Sequence, residues 1–222
     1  MDTTSVWERT GESTMSGNLY AFWITFWTAI GIATSAVAAS LTLSWEYSLF
    51  LVVPAFIASI IGVFIAQNND DPLISIGGYM LITVSFGAIT GPVVAMYTPA
   101  SVARILFLTT AVVIGLGIAG AILPKSLENW WSWLFGGLLI LFAGQILLLL
   151  VAFLGVPVGN AMTVWDWAGV ALFSGFVLFD LNRAMRIPYT MNNAVDAAVE
   201  VYLDFINLFL RLLSLLGEAE RD

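Results

Sequence analysis

Between residues 193 and 218 the polar side chains fall at Asn193, Asp196, Glu200, Asp204, Asn207, Arg211, Ser214 and Glu218, each three or four positions after the last. That spacing places them all on one face of an α-helix, and the positions between them up to Leu216 are Ala, Val, Leu, Ile, Phe and Tyr. A further acid, Asp180, stands in the segment Phe179-Asp180-Leu181-Asn182-Arg183. A charged side chain within a membrane span costs about 2.5–3.5 kcal/mol at its centre, so acids at such depth are held there for a reason. Two carboxyls a few ångströms apart in low dielectric cannot both ionise easily. They would share one proton and titrate as a coupled pair. Spacing alone leaves a second arrangement open, in which Asp180 pairs with Arg183 and Asp204 with Asn207 or Arg211 as satisfied internal contacts.

The elements that must position these groups are membrane helices. Of the 222 residues 60% are hydrophobic and 10% charged, and the mean hydropathy is +0.95, far from the roughly 25% charge of a soluble domain. Apolar runs bounded by turn residues predict seven spans, near 19–43, 48–66, 73–97, 101–123, 131–155, 164–186 and 194–216, in an all-α bundle. Gln67-Asn68-Asn69-Asp70-Asp71-Pro72, Pro99, Pro124-Lys125-Ser126-Leu127-Glu128, Pro157 with Gly159, and Ile187-Pro188-Tyr189 supply the breaks. Trp130, Trp131 and Trp133, and later Trp165 and Trp167 around Asp166, read as aromatic belts at the membrane surface. Residues 1–18 read as a polar, disordered tail without signal-peptide features, 19–217 as the membrane domain, and 218–222 as an acidic tail. Gly77, Gly78, Gly87 and Gly91 read as packing glycines of the third span.

Scarce residues exclude whole chemistries. With no cysteine there is no disulfide, thiolate nucleophile or iron–sulfur cluster, and with no histidine there is no Ser-His hydrolysis. The single lysine, Lys125, falls between two apolar runs, which removes a buried Schiff base. A formal charge of −8 argues against nucleic acid as a partner. Gly115-Leu116-Gly117-Ile118-Ala119-Gly120 matches a dinucleotide fingerprint by letter only, because it lies inside an apolar run rather than after a strand. Arg9, Lys125, Arg183 and Arg186 fall on one side of the predicted bundle, against Arg104, Arg221 and Arg211 on the other. That bias predicts a cell-membrane protein with its N-terminus in the cytoplasm.

The segment Val201-Tyr202-Leu203-Asp204-Phe205-Ile206-Asn207-Leu208-Phe209-Leu210-Arg211-Leu212-Leu213 resembles the last-helix motif of the Bax inhibitor-1 family. Leu178-Phe179-Asp180-Leu181-Asn182 resembles that family's sixth-helix segment, with weaker echoes at Gly87-Ala88-Ile89-Thr90-Gly91-Pro92 and at 120–127. The resemblance implies a seven-helix fold with the last helix central, and a pH-sensitive calcium leak in which an aspartate pair latches the closed state. Carried onto this chain, the pH sensor or gate is Asp180 with Asp204. Family members can place an arginine at the end of the second span to engage the pair. Here Gln67, Asn68 and Asn69 occupy that region, so either Arg183 or Arg211 substitutes or the latch is weaker.

Calcium takes several hard oxygen ligands. Glu200, Asp204 and Asn207 on successive turns, opposite Asp180, could pass it along transiently, with Asp180 and Asp204 as the metal-contacting pair. No EF-hand loop is present, no catalytic residue or resident cofactor is expected, and the expected partners are the lipid bilayer and the calcium ion. The alternative function is a non-conducting membrane regulator that binds other membrane proteins. An intramembrane aspartyl protease is disfavoured, because Asp204 follows Val201-Tyr202-Leu203 rather than Gly-x-Gly and no Pro-Ala-Leu occurs.

Overall fold

A computed structural model describes residues 14–46, 48–69 and 71–219. It contains α1 (Gly17–Thr42), α2 (Leu49–Gln67), α3 (Pro72–Val94), α4 (Pro99–Ile122), a short 3-10 turn (Glu128–Trp130), α5 (Trp131–Phe153), α6 (Gly159–Ala184) and α7 (Met191–Leu216). The described residues form no β-sheet, only an isolated bridge between Tyr97 and Ala219. The helix starts follow from local chemistry. Asp71 accepts from the Leu73 N–H and Thr98 from the Ser101 N–H, and each is followed by a proline whose missing N–H costs nothing in the first turn.

Among the described residues, six helices, α1 to α6, are long and apolar enough to cross a membrane. The seventh differs from the expected apolar span. It is 26 residues long, but Asp196, Glu200, Asp204 and Arg211 within it lower its hydropathy. Residues 1–13 and 220–222 of the expected tails lie outside the described residues. Gly17 and Asn18 already belong to α1, and Glu218 is tied to α4 through an ion pair with Arg104 at 3.1 Å.

The chain divides into two compact units. The first comprises α1–α3 with Ala184–Leu203, and within it small residues permit backbone contact. A Cβ on Gly87 would sit 2.5 Å from the Ser35 carbonyl oxygen of α1, and one on Gly78 2.5 Å from the Ala66 nitrogen of α2. No hydrophobic drive joins helices in lipid, so such close packing does the holding. Gly77, by contrast, faces open space. Tyr20 and Tyr189 stack at 4.7 Å beside buried Ile24, Ala184, Ala194 and Ala197.

The second unit comprises Thr98–Arg183 with Asp204–Glu218. Here Gly120 of α4 packs on the Leu178 backbone of α6, and the Trp165 indole donates to the Leu141 carbonyl of α5 at 3.0 Å. Gly115–Gly120 lies wholly within α4, as the rejection of a dinucleotide fingerprint requires. Large apolar side chains remain exposed along α5, Trp133 at 84% among them, a surface suited to lipid rather than water.

Candidate functional site

The two acids singled out by their sequence lie in the same unit: Asp180 on α6, 6% exposed, and Asp204 on α7, 5% exposed. Their chain neighbours Val177, Phe179, Phe205, Ile206 and Leu208 are buried too. A carboxylate so enclosed is costly to keep ionised without compensation. Asp204 belongs to a helix buried on more than its polar seam. Asn193 and Asp196 are buried on the seam, and Val195, Val199, Tyr202, Phe209 and Leu213 elsewhere around the helix. Toward the C-terminal end the seam opens, with Asn207 and Arg211 half-buried and Ser214 exposed.

The second unit holds Asp180, Arg183, Asp204, Asn207 and Arg211, and Glu200, half-buried, belongs to the first. The two arginines meet different partners. The Arg183 guanidinium lies 5.9 Å from the centroid of the Phe179 ring, one turn earlier on α6, a favourable cation–π placement. Arg211 donates from Nη1 to Asp166 Oδ1 at 2.9 Å, and the Ser214 hydroxyl donates to Asp166 Oδ2 at 2.7 Å. Gly169, one turn from Asp166, makes room, since a Cβ there would strike the Arg211 side chain. These contacts also set the register of α6 against the C-terminal half of α7.

Asn182, two residues beyond Asp180, is buried and ties α6 to the loop after α4. Its Oδ1 accepts from the Leu127 N–H at 2.9 Å, and its Nδ2 donates to the carbonyls of Gly120 at 3.0 Å, Lys125 at 3.2 Å and Leu123 at 3.4 Å. It satisfies carbonyls that the end of α4 leaves without helical partners. Among the described residues no three acidic side chains converge as a metal site, so the carboxyls available to a cation at any point are few.

Sequence reasoning did not assign roles to Asp166, Asn182 or Tyr202. Asp166 read as an interface marker between two tryptophans, and only its pairing with the polar face of α7 reveals its use. The other two carry no local signal, because their partners lie far away along the chain.

Six apolar helices, lipid-suited exposed faces and an acid-bearing seventh helix define a multi-pass, all-helical membrane protein. A sequence model of the family described as "Inhibitor of apoptosis-promoting Bax1" matches residues 22–221, and the chain belongs to this Bax inhibitor-1 family. It is 30% identical to an uncharacterized membrane protein of Vibrio cholerae over 96% of this chain and 94% of that protein. It is also 29% identical to Bax inhibitor 1 of Schizosaccharomyces pombe, over 64% of this chain and 52% of that protein. Identity to Protein LIFEGUARD 4 of Arabidopsis thaliana is 31%, over 36% of this chain and 33% of that protein.

Proposed function

We propose that this protein is a pH-sensitive calcium leak of the cell membrane, gated by protonation of Asp180 and Asp204. The observation that carries the reading is the burial of both carboxyls, one on α6 and one on α7, among apolar side chains of one unit. Sharing one proton, such a pair holds its two helices by a hydrogen bond. Losing that proton sets two like charges against each other, and gaining a second removes the charge that the bond relied on. Either change alters the contact between α6 and α7, and the latch responds to pH without any covalent step.

In this reading α7 is the central helix, which its burial on several faces supports, and it counts as the seventh span. Calcium passes by brief contacts with Asp180, Asp204, Asn207 and Glu200. The small number of converging acids favours transit over storage. We assign modulation of the pair to Arg183, three residues after Asp180 on α6, because Arg211 is engaged by Asp166. The N-terminus faces the cytoplasm, on the side carrying Lys125, Arg183 and Arg186.

The test is calcium entry into liposomes holding the purified protein, followed between about pH 5 and 8. Flux through the native chain is expected to change with pH, and Asp180→Asn and Asp204→Asn are each expected to flatten the profile. Equal, pH-independent flux in all three would sink the reading. Absence of flux from all three would turn attention to a non-conducting regulator.

A further inference from the structure

The first unit contains a chain of buried hydroxyls that the aspartate pair does not use. Tyr202 of α7 is fully buried, with its ring edge-on to that of Tyr79 of α3 at 5.7 Å between centroids. Its hydroxyl lies 2.5 Å from Ser35 Oγ of α1, which lies 2.7 Å from the Thr83 carbonyl oxygen of α3. A carbonyl only accepts, so the one Ser35 proton goes to Thr83, and Tyr202 must be the donor to Ser35. The order Tyr202 to Ser35 to Thr83 is therefore fixed, and hydrogen bonds running in one sense strengthen one another. The Tyr79 hydroxyl donates at 3.0 Å to the Trp27 carbonyl of α1, in space that a Cβ on Gly31 would occupy. Three helices thus meet at one hook, and its α7 member stands two residues before Asp204.

Residues two apart on an α-helix point about 200° from one another. A hook at Tyr202 grips the face of α7 turned away from Asp204 and so fixes the rotation of the helix about its own axis. We propose that Tyr202 is a positioning residue of the leak, its hydroxyl holding α7, through Ser35 and Thr83, in the rotation that closes the pathway. The proposal rests on the leak reading. It adds a second restraint, on the opposite face of the same helix, that needs no charge.

The test compares calcium flux into liposomes for the native chain, Tyr202→Phe, Ser35→Ala and the double variant, with Asp204→Asn as a control. At the pH where the native chain leaks least, each single variant is expected to raise flux about fivefold, the ratio matching the loss of one ordinary net hydrogen bond. The double variant is expected to raise it no further, because both changes break the same chain. The flux profile of Tyr202→Phe should also move along the pH axis, whereas a loss of folded protein would only scale it. The chain has no cysteine, so Ala198→Cys places a single thiol at a fully buried position one turn before Tyr202. Maleimide labelling of that thiol should quicken when Tyr202→Phe is added. Unchanged flux and unchanged labelling in Tyr202→Phe, or effects that multiply in the double variant, overturn the hook. If Asp204→Asn leaves the pH profile intact, the aspartate reading fails instead and the labelling comparison decides the hook alone.

Discussion

Asp166 and Arg211 are 17% and 14% exposed, little enough that removing one strands the other's charge in a poor solvent. Arg211→Ala alone is expected to cost about 1.5–3 kcal/mol, the range for a hydrogen bond to a charged group, since it leaves the Asp166 carboxylate without its ion partner. Asp166→Ala combined with Arg211→Ala should cost less than the two single changes summed. Unfolding in detergent, followed by tryptophan fluorescence for the four chains, measures both quantities. Gly169→Ala should act in the same direction by pushing on the Arg211 side chain. Only half of these contacts are legible in the sequence. The periodic acids of 196–204 announce a buried seam, because an acid flanked by leucines and phenylalanines on one helix is tolerated only where protein or water receives it. Arg211 sits on the same seam, yet its partner comes from another helix, and nothing in the spacing of α7 selects Asp166 over Asp204.

Among the elements, helix ends are the readable part. Pro72 and Pro99 start α3 and α4 because a proline is at home in the first turn and nowhere later. The start of α6 is less readable. Asn160, Thr163 and Asp166 break the apolar run that predicts a start near 164, while the helix begins at Gly159; Thr163 donates to the Gly159 carbonyl within it, so these polar groups are accommodated by the helix. The junction made by Asn182 was unreadable, since an amide in an apolar helix signals a buried bond without naming it. Asn182→Leu keeps the branching of the side chain, removes its hydrogen bonds to 120–127 and leaves the Leu127 N–H and the carbonyls at the end of α4 without that partner. A loss of about 2–3 kcal/mol is expected, with amide hydrogen exchange accelerated first in the loop 123–127. Gly87→Val should force α1 from α3 and lower the melting temperature, because the Cβ meets backbone rather than a yielding side chain.

For the molecule as a whole, composition determined the class of protein before any residue was placed. Burial then sorted the helices by role. Most of α5 presents apolar side chains outward, while α7 encloses acids and aromatics together. Apolar replacements on the outer face of α5, such as Trp133→Leu, should leave stability within about 0.5 kcal/mol in thermal unfolding. Replacements of Leu208 or Leu213, both fully buried on α7, by alanine should each cost about 2–5 kcal/mol. Composition could not locate the contacts inside each unit, because leucines and glycines facing lipid and facing protein are spelled alike. Gly77 and Gly78 are adjacent, and only the second meets another backbone.

The acids of α7 also bear on how the protein is made. A segment entering the bilayer alone from a translocon would carry Asp196, Glu200, Asp204 and Arg211 into hydrocarbon with nothing to receive them. By the time it leaves the ribosome, the helices that carry its hydrogen-bond partners Ser35 and Asp166 have already been synthesised. Partners made earlier in the chain, rather than hydropathy, are therefore what can receive the charges of this helix.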